Sequence, residues 1–358
     1  MKVGIITITT GCNYGNRLQN YALQQYLISM GIDAETLFNN EYKKAESQSI
    51  AKLIWYIMIP RGLYRFKKSL WIRQKRFCEF NNLYINKSKY YLGNPELDPE
   101  ELVNYYDKFI CGSDQIWNPY FPETIEENFL PFAKRGQRLT YAASFGVSEI
   151  PENVKEKYGE RISEFDFLSV REETGKKLIC ELTGRNDSEV HIDPTLLLSV
   201  DEWNKIKRCP SNFSNSKYIL VYLLGGIQKE IEDKVEELAT SYNLKVINLR
   251  KNKYYRTNPA EFLYWIEHAE MIITNSFHGA VFSILYNKKF QICGRKGQQY
   301  SMSSRIDTLL NTFNITGRIV SHVDDIAMDI KDLNYAEIEE LLKKKQKVSK
   351  EYLDEILK

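Results

Sequence analysis

The feature that most constrains the fold is an alternation of short apolar segments with segments of helical periodicity. Residues 3–9 are rich in β-branched side chains, residues 18–30 repeat apolar side chains at helical spacing, and residues 34–38 form a second strand pattern. A helix between two strands returns the chain to the same end of a sheet, so such strands pair in parallel. The chain is therefore predicted to open as a βαβ unit of a parallel sheet.

The same alternation recurs in two blocks separated by a polar stretch at residues 209–216. Before this stretch, apolar segments end at small or polar residues in three further places, at 109–111, 139–143 and 167–170. After it, helical patterns alternate with strand patterns at 218–224, 245–249 and 271–274. We predict an α/β fold of two Rossmann-like lobes with a cleft between them, a GT-B-like architecture. The predicted divisions are an N-terminal lobe at 1–200, a C-terminal lobe at 201–334 and a charged helix at 335–358.

Composition and charge narrow the class of protein. The 358 residues are 43% hydrophobic and 27% charged, which is typical of a globular protein. The 49 basic and 47 acidic residues leave a net charge of +2, which gives no reason to expect nucleic-acid binding. The six cysteines are scattered without a CxxC pair, so we expect reduced thiols, no metal site and a cytoplasmic location. The sequence predicts neither a cleaved signal nor a membrane span.

One segment departs from the even distribution of charge, the insertion at residues 47–78. It contains no acidic residue and eight basic ones, interleaved with apolar and aromatic side chains such as Trp55 and Trp71. This mixture suits peripheral contact with an anionic membrane surface or with a lipid-pyrophosphate substrate. The alternative is a helical insertion whose apolar stripe packs on the sheet and whose basic face is solvated.

Polar residues at the carboxyl ends of the strands are the candidate functional residues, because open α/β sheets bind their ligands there. Residues 11–16, GCNYGN, either bind an anion at a helix N-terminus or form a tight turn that needs glycine. Asp114 is either a base toward a substrate hydroxyl or a helix N-cap. Asp193, which precedes Pro194, fits a simple turn former.

Arg171 and His278 are the main candidates for binding and proton transfer. Arg171 directly follows a strand and suits a carboxylate or phosphate, or else pairs with its neighbours Glu172 or Glu173. His278 lies at a strand end beside a glycine, where it is either a proton carrier or a hydrogen-bonded structural histidine. Further cations follow the next strand at Arg295, Lys296 and Arg305. Together these side chains would suit a small dianion.

Several of these motifs together resemble those of the polysaccharide pyruvyl transferase family. The motifs are, in order, residues 11–20 with their helix, FICGSDQIWNP (109–119), YAASFG (141–146), SVREETG (169–175), DPTLLL (193–198), TNSFHG (274–279) and SSRI (303–306). The resemblance implies a GT-B-like fold and transfer of the pyruvyl group of phosphoenolpyruvate to two hydroxyls of a sugar, which gives a cyclic ketal. No cofactor is expected besides phosphoenolpyruvate as co-substrate.

The resemblance and the chemistry of ketal formation together suggest roles for individual residues. Arg171 would bind the donor, and His278 would contact its phosphate or carboxylate and share the acid and base chemistry with Asp114. The other donor-binding residues would be Asn275, Ser276, Gly279, Arg295, Lys296, Ser304 and Arg305. The acceptor-binding residues, on the N-terminal lobe, would be Asn13, Gly15, Asn16, Gln115 and Trp117.

The sequence departs from the family pattern at two positions. Asn16 stands where many members have aspartate, and residues 276–278 read Ser-Phe-His where many members have Arg-Leu-His. The missing arginine would have bound the donor anion. We expect Arg305 or Arg295 to replace it.

The expected acceptor is a galactose-type residue of a lipid-linked saccharide, carried on undecaprenyl pyrophosphate, in capsular or exopolysaccharide synthesis. This expectation places the protein in the cytoplasm, peripherally at the inner face of the plasma membrane, with no nucleic-acid partner. Two other functions fit the sequence. One is a GT-B glycosyltransferase that uses a nucleotide sugar, and the other is a non-catalytic carbohydrate- or lipid-binding protein of the same fold.

Overall fold

A computed structural model describes residues 1–40, 61–121, 124, 126–226, 228–294 and 304–358. Of residues 61–67 it describes the backbone alone. The predicted donor residues Arg295 and Lys296, and the first part of the insertion at 47–78, therefore lie outside the described residues.

The N-terminal lobe is built on a parallel sheet of five strands. In chain order these are β1 (Lys2–Ile6), β2 (Asp33–Asn39), β3 (Lys87–Leu92), β4 (Lys108–Cys111) and β5 (Arg138–Thr140). They pair in the order β3-β2-β1-β4-β5. The sheet continues through single bridges beyond β5 to a short parallel pair, β6 (Ser169–Val170) and β7 (Glu189–Val190).

The C-terminal lobe has a second parallel sheet of five strands. They are β8 (Tyr218–Tyr222), β9 (Lys245–Asn248), β10 (Met271–Thr274), β11 (Phe290–Cys293) and β12 (Ile319–Val320). Their spatial order is β12-β11-β10-β8-β9. The two parallel sheets confirm the predicted α/β fold of two lobes.

The described helices connect these strands and cover the sheets. In chain order they are α1 (Tyr14–Ser29), α2 (Arg61–Tyr84), α3 (Pro99–Tyr105), α4 (Glu152–Ser163), α5 (Glu173–Thr183), α6 (Val200–Ile206), α7 (Lys229–Ser241), α8 (Pro259–Glu267), α9 (Phe277–Leu285), α10 (Ser304–Thr312) and α11 (Tyr335–Ile356). Short 3-10 helices lie at Glu126–Phe129, Pro194–Leu196, Asn252–Arg256 and Val323–Asp325. Within the described ranges, no helix is long and apolar enough to cross a bilayer.

The first helix begins one turn earlier than its periodicity predicts. Asn13 is the N-cap, and its side-chain oxygen accepts a hydrogen bond from the backbone N–H of Gly15 at 2.9 Å. Gly15 and Asn16 therefore lie inside the first turn of α1 rather than in a loop before it. The N-terminus of this helix points to the carboxyl edge of the sheet, where β1 ends.

The two lobes meet along α1 and α2. The ring of Tyr14 stacks on Phe262 of α8, with ring centroids 4.6 Å apart. Arg73 of α2 donates to the hydroxyl of Tyr14 at 2.8 Å and to the backbone oxygen of Tyr255 at 2.6 Å. One buried apolar cluster accordingly extends through both lobes.

The last helix returns to the N-terminal lobe. Tyr352 donates its hydroxyl to the backbone oxygen of Thr140 at 3.1 Å, and Gln346 donates to that of Leu196 at 2.7 Å. Helix α11 therefore fixes the C-terminus of the chain beside the ends of β5 and β7.

Candidate functional site

The candidate site centres on Asp193, which follows β7 and caps the 3-10 helix Pro194–Leu196. Its Oδ2 accepts from Nη1 of Arg171 at 2.5 Å and from the hydroxyl of Ser113 at 3.2 Å. The same oxygen lies 3.5 Å from Nε2 of His278. Strand ends of the N-terminal lobe and a helix start of the C-terminal lobe thus converge on one carboxylate.

Asp193 is ionised in spite of its burial. Burial alone would raise the pKa of this carboxyl group, but the nearby charges of His278 and Arg171 and the hydrogen bond from Thr195 together lower it well below its usual range. Thr195 donates both its backbone N–H, at 3.0 Å, and its hydroxyl, at 2.6 Å, to Oδ1. A buried carboxylate with this many donors stays charged and holds its donors in place.

Arg171 connects Asp193 to Asp114. Its Nη2 lies 3.4 Å from Oδ1 of Asp114, and its side chain is almost fully buried. Burial alone would lower the pKa of Arg171, but the charges of Asp193, Asp114 and Glu172 raise it. Nε has no hydrogen-bond partner within the described part of the chain. Arg171 is therefore a permanent buried cation whose two η nitrogens bond aspartates and whose Nε has no partner among the described residues.

Neither neighbouring glutamate pairs with Arg171 through a hydrogen bond or salt bridge among the described contacts. The Oε1 of Glu172 instead accepts from the hydroxyl of Ser144 at 2.8 Å and from the backbone N–H of Gly146 at 3.2 Å. Glu172 therefore stabilises the loop after β5, while Arg171 contacts Asp193 and Asp114.

His278 lies in the first turn of α9, where Ser276 is the N-cap. A Cβ atom added to Gly15 would lie 1.9 Å from Nδ1 of His278, so no residue other than glycine fits there in this arrangement. Gly279 is equally constrained, because a Cβ there would lie 2.4 Å from the hydroxyl oxygen of Thr274. The N-termini of α1 and α9 therefore meet at the imidazole of His278.

Arg305, in the first turn of α10, is the second buried arginine of the site. When the amide of Gln115 is turned with its oxygen toward this guanidinium, the oxygen accepts from both η nitrogens at 2.8 and 2.7 Å. The ring of Phe277 lies 5.9 Å from the guanidinium carbon of Arg305 and 4.4 Å from that of Arg171. Phe277 therefore contacts both arginines.

The sequence profile of the polysaccharide pyruvyl transferase family matches residues 13–296. The chain belongs to this family. Membership indicates a pyruvyltransferase of polysaccharide biosynthesis, and the matched residues include Asp114, Arg171, Asp193 and His278. A comparison with curated proteins gives no significant match.

Solved structures similar to this pyruvyltransferase confirm the GT-B-like fold. The UDP-GlcNAc 2-epimerase of Methanocaldococcus jannaschii has a TM-score of 0.52 at 14% identity, over 96% of this chain and 99% of that one. A putative UDP-N-acetylglucosamine 2-epimerase of Listeria monocytogenes has a TM-score of 0.51 at 9% identity, over 97% and 90%. The Rickettsia bellii epimerase has a TM-score of 0.50 at 12% identity, over 99% and 98%. At these identities the similarity concerns the fold alone.

Two of the predicted donor residues of this pyruvyltransferase, Asn275 and Ser276, have structural partners of their own. Asn275 accepts from the backbone N–H of Leu224 at 2.6 Å and donates to its oxygen at 2.9 Å, so it joins the loops after β10 and β8. Ser276 caps α9, and Ser304 begins α10 beside Arg305. Their contribution to donor binding stays a prediction.

The predicted acceptor residues separate into two groups. Asn13, Gly15 and Asn16 lie at the N-terminus of α1 beside His278, and Gln115 contacts Arg305. Trp117 is different, because it is fully buried and its indole N–H donates to the backbone oxygen of Asn128 at 3.2 Å. This position in the core argues against the direct contact with acceptor that was predicted for it.

Asp114 does not cap a helix. The chain after it forms turns, and Oδ1 accepts the backbone N–H of Gln115 at 2.8 Å. Its φ of +66° is uncommon for a residue other than glycine, and the same Oδ1 faces Nη2 of Arg171 at 3.4 Å. The predicted role as a base remains compatible with this position.

The residue that sequence reasoning missed is Asp193, interpreted as a turn former. It does begin a turn, but its second oxygen faces the site. The signal was available, because Asp193 follows an apolar segment just as Arg171 follows β6, and both lie at the same edge of the sheet. Among the described side chains, no three His, Cys, Asp or Glu converge as a metal-binding group would require.

Proposed function

We propose that this chain transfers the pyruvyl group of phosphoenolpyruvate to two hydroxyls of a sugar, which forms a cyclic ketal and releases phosphate. The observation that supports this most directly is the buried cluster of Asp193, Arg171 and His278, with Arg305 beside it, in a chain of this family. The cluster combines cations for an anionic donor with groups that can move protons.

The reaction balances without an oxidant or reductant. A proton adds to C3 of the enol, and the first sugar hydroxyl forms a bond to C2. The bond between C2 and the phosphate oxygen then breaks, and the second hydroxyl bonds to C2 in its place. Of the two hydroxyl protons, one matches the proton gained at C3 and the other leaves with phosphate. The enzyme therefore needs an acid, a base and stabilisation of positive charge at C2.

Each requirement has a candidate side chain in the cluster. His278 would deliver the proton to C3, with its imidazole oriented by the ionised Asp193 at 3.5 Å. Asp114 would accept the proton of a sugar hydroxyl. Arg171 and Arg305 would neutralise the carboxylate and phosphate of the donor, as guanidinium groups do in anion sites.

The acceptor would be a galactose-type sugar of a lipid-linked saccharide, bound beside the N-terminus of α1. Peripheral membrane contact would then come from the basic insertion. Within its described part, Arg73 is buried between the lobes and Arg76 bonds Glu261 of α8 at 2.5 Å. These two cations serve the contact between lobes, so the proposed membrane contact rests on other residues of 47–78.

The test is incubation with phosphoenolpyruvate and a galactoside acceptor. We expect acceptor-dependent release of phosphate and a product whose mass has increased by one pyruvyl ketal, and we expect His278→Ala to abolish both while the protein stays folded. Release of a nucleotide from a nucleotide sugar, without ketal formation, would instead favour a glycosyltransferase. Absence of every such reaction with a full panel of acceptors would favour a binding protein.

A further inference from the structure

A cavity of about 80 Å³ lies directly behind the cluster, between α10, α11 and the residues that follow β6 and β7. Arg171, Asp193, Phe277 and Arg305 form the wall shared with the cluster. Because one water needs about 10–15 Å³ of such space, the cavity has room for several water molecules. This is the size of a phosphate group or of a small carboxylic acid.

Among the residues that the structure describes, three cations line this cavity, Arg171, Arg305 and Lys345 of helix α11. The carboxylates that line it in the same part of the chain are Asp193 and Glu173, which leaves these described side chains with a surplus of one positive charge. Asp193 is already bonded to Arg171 at 2.5 Å, and Glu173 is exposed to solvent. An anion that enters therefore meets cations whose charge is only partly neutralised.

The remaining polar residues of the wall include His191 and Ser349 on one side and Thr308 and Thr312 of α10 on the other. Nδ1 of His191 lies 3.2 Å from the hydroxyl of Ser349 on α11, and both residues are buried. Burial, and to a smaller extent the charge of Lys345, lowers the pKa of His191 to about 4. The imidazole is therefore neutral at pH 7 and offers hydrogen bonding rather than charge.

The backbone of Lys345 is held in place, although its side chain is exposed. The next residue, Gln346, donates to the backbone oxygen of Leu196 at 2.7 Å, and one turn later Ser349 meets His191. These contacts hold α11 against the N-terminal lobe on either side of the lysine. A flexible cation on a fixed backbone suits the mouth of an anion site.

We propose that this cavity binds the phosphate group of the donor, with Lys345 as a third cation beside Arg171 and Arg305. This inference rests on the proposed function, since it takes phosphoenolpyruvate as the donor. Nothing in the motif pattern of the sequence points to Lys345, because it lies on the C-terminal helix, beyond residues 13–296 that match the family.

The test measures binding of phosphoenolpyruvate, inorganic phosphate and pyruvate to the full chain by calorimetry, without acceptor. For Lys345→Gln we expect the dissociation constants of phosphoenolpyruvate and phosphate to rise roughly three- to tenfold, and for Lys345→Glu by about tenfold or more, since an exposed lysine contributes a screened charge. Lys344→Gln is the matched control, because Lys344 is an exposed neighbour on the same helix that does not line the cavity.

The outcomes separate this inference from the proposed function. Equal affinities of wild type and Lys345→Gln for phosphate, or no phosphate binding by wild type, would overturn the inference even if ketal formation is observed. Weaker binding of pyruvate as well as of phosphate would also overturn it, since the carboxylate would then occupy the cavity. Selective loss of phosphate affinity in a protein that forms no ketal would support the anion site and refute the proposed function.

Discussion

The guanidinium carbon of Arg171 lies 4.4 Å from the ring centroid of Phe277. The same ring lies 5.9 Å from the guanidinium carbon of Arg305 and meets the imidazole of His278 edge-on at 5.2 Å. An aromatic ring attracts a cation within about 6 Å of its centroid. Phe277 is thus in contact with the cations and the imidazole at once, and it directly follows Ser276, the position where the family pattern suggests an arginine.

We predict that Phe277 positions both arginines. Phe277→Leu should therefore weaken donor binding without abolishing it. Loss of cation–π contacts worth about 0.5–1 kcal/mol each should lower kcat/KM for phosphoenolpyruvate about three- to thirtyfold, mainly through KM. Steady-state kinetics with varied phosphoenolpyruvate measures this. Phe277→Tyr, which keeps the ring, should stay within about threefold of wild type, and equal losses in both variants would contradict a role for the ring.

Gly15 gives a test of the contact between α1 and α9. Gly15→Ala places a methyl group where Nδ1 of His278 now lies, 1.9 Å away, so His278 must move or the lobes must separate. We expect kcat to fall about a hundredfold or more, as misplacement of a catalytic group by about 1 Å does. Gly226→Ala is the control, because an added Cβ there meets nothing within 4 Å. Near wild-type turnover by Gly15→Ala would show that catalysis does not depend on this contact.

Local periodicity predicted the strands well but misplaced the start of α1. Strand β2 extends one residue beyond the predicted 34–38 at each end, as Asp33–Asn39. In contrast, every residue from Tyr14 to Gln24 of α1 is buried. A helix surrounded by protein has no face exposed to solvent, and this one buries polar residues such as Asn16 and Arg17 in its first turn. That turn therefore lacks the amphipathic pattern that marks a surface helix.

The site was predictable only in part, for a related reason. The rule that ligands bind at the carboxyl ends of parallel strands places Asp114 and Arg171 at that edge of the N-terminal sheet and His278 at the same edge of the C-terminal sheet. The rule also places Asp193 at the edge where Arg171 lies, but it cannot state that the carboxylate turns toward Arg171, because that depends on the rotamer of one side chain in a turn. Nor can it state that Gly15 touches His278, since this contact arises only when the two lobes pack.

Asp193→Asn tests whether the buried carboxylate holds the cluster together. The variant leaves Arg171 without its nearest charge partner, and removal of one member of a buried pair costs about 3–5 kcal/mol. We expect a loss of that order in the free energy of unfolding by urea at pH 7. The folded-state pKa of Asp193 lies below its usual value, so its stabilisation is full above about pH 4 and declines as pH falls further.

The difference in the free energy of unfolding between wild type and Asp193→Asn should therefore become smaller below about pH 4. Glu173→Gln is the control for general charge removal, because Glu173 lines the cavity but is exposed. It should change the stability by less than about 1 kcal/mol. If this difference in the free energy of unfolding is the same at low and at neutral pH, Asp193 is not ionised in the native state.

The lowered pKa of His191 gives a second, separate dependence of stability on pH. Burial, followed by the charge of Lys345, lowers the pKa of His191 from 6.5 to about 4. The unfolded chain binds a proton below about pH 6.5, whereas the native protein does so only near pH 4, so the stabilisation is full above pH 6.5 and is lost as pH falls through this window. The full difference between the pKa of His191 in the unfolded and the native protein corresponds to about 3 kcal/mol in the free energy of unfolding.

Urea unfolding of wild type and His191→Gln at several values between pH 7 and pH 4 measures this effect. Glutamine takes up no proton, so the stability of the variant should fall less steeply over the window, by up to about 3 kcal/mol in total. His268→Gln, at a histidine whose side chain is 38% exposed, is the matched substitution of an imidazole outside this wall. Parallel pH profiles for wild type and His191→Gln would show that the native protein takes up the proton as readily as the unfolded chain, and that the wall of His191 and Ser349 is open to water.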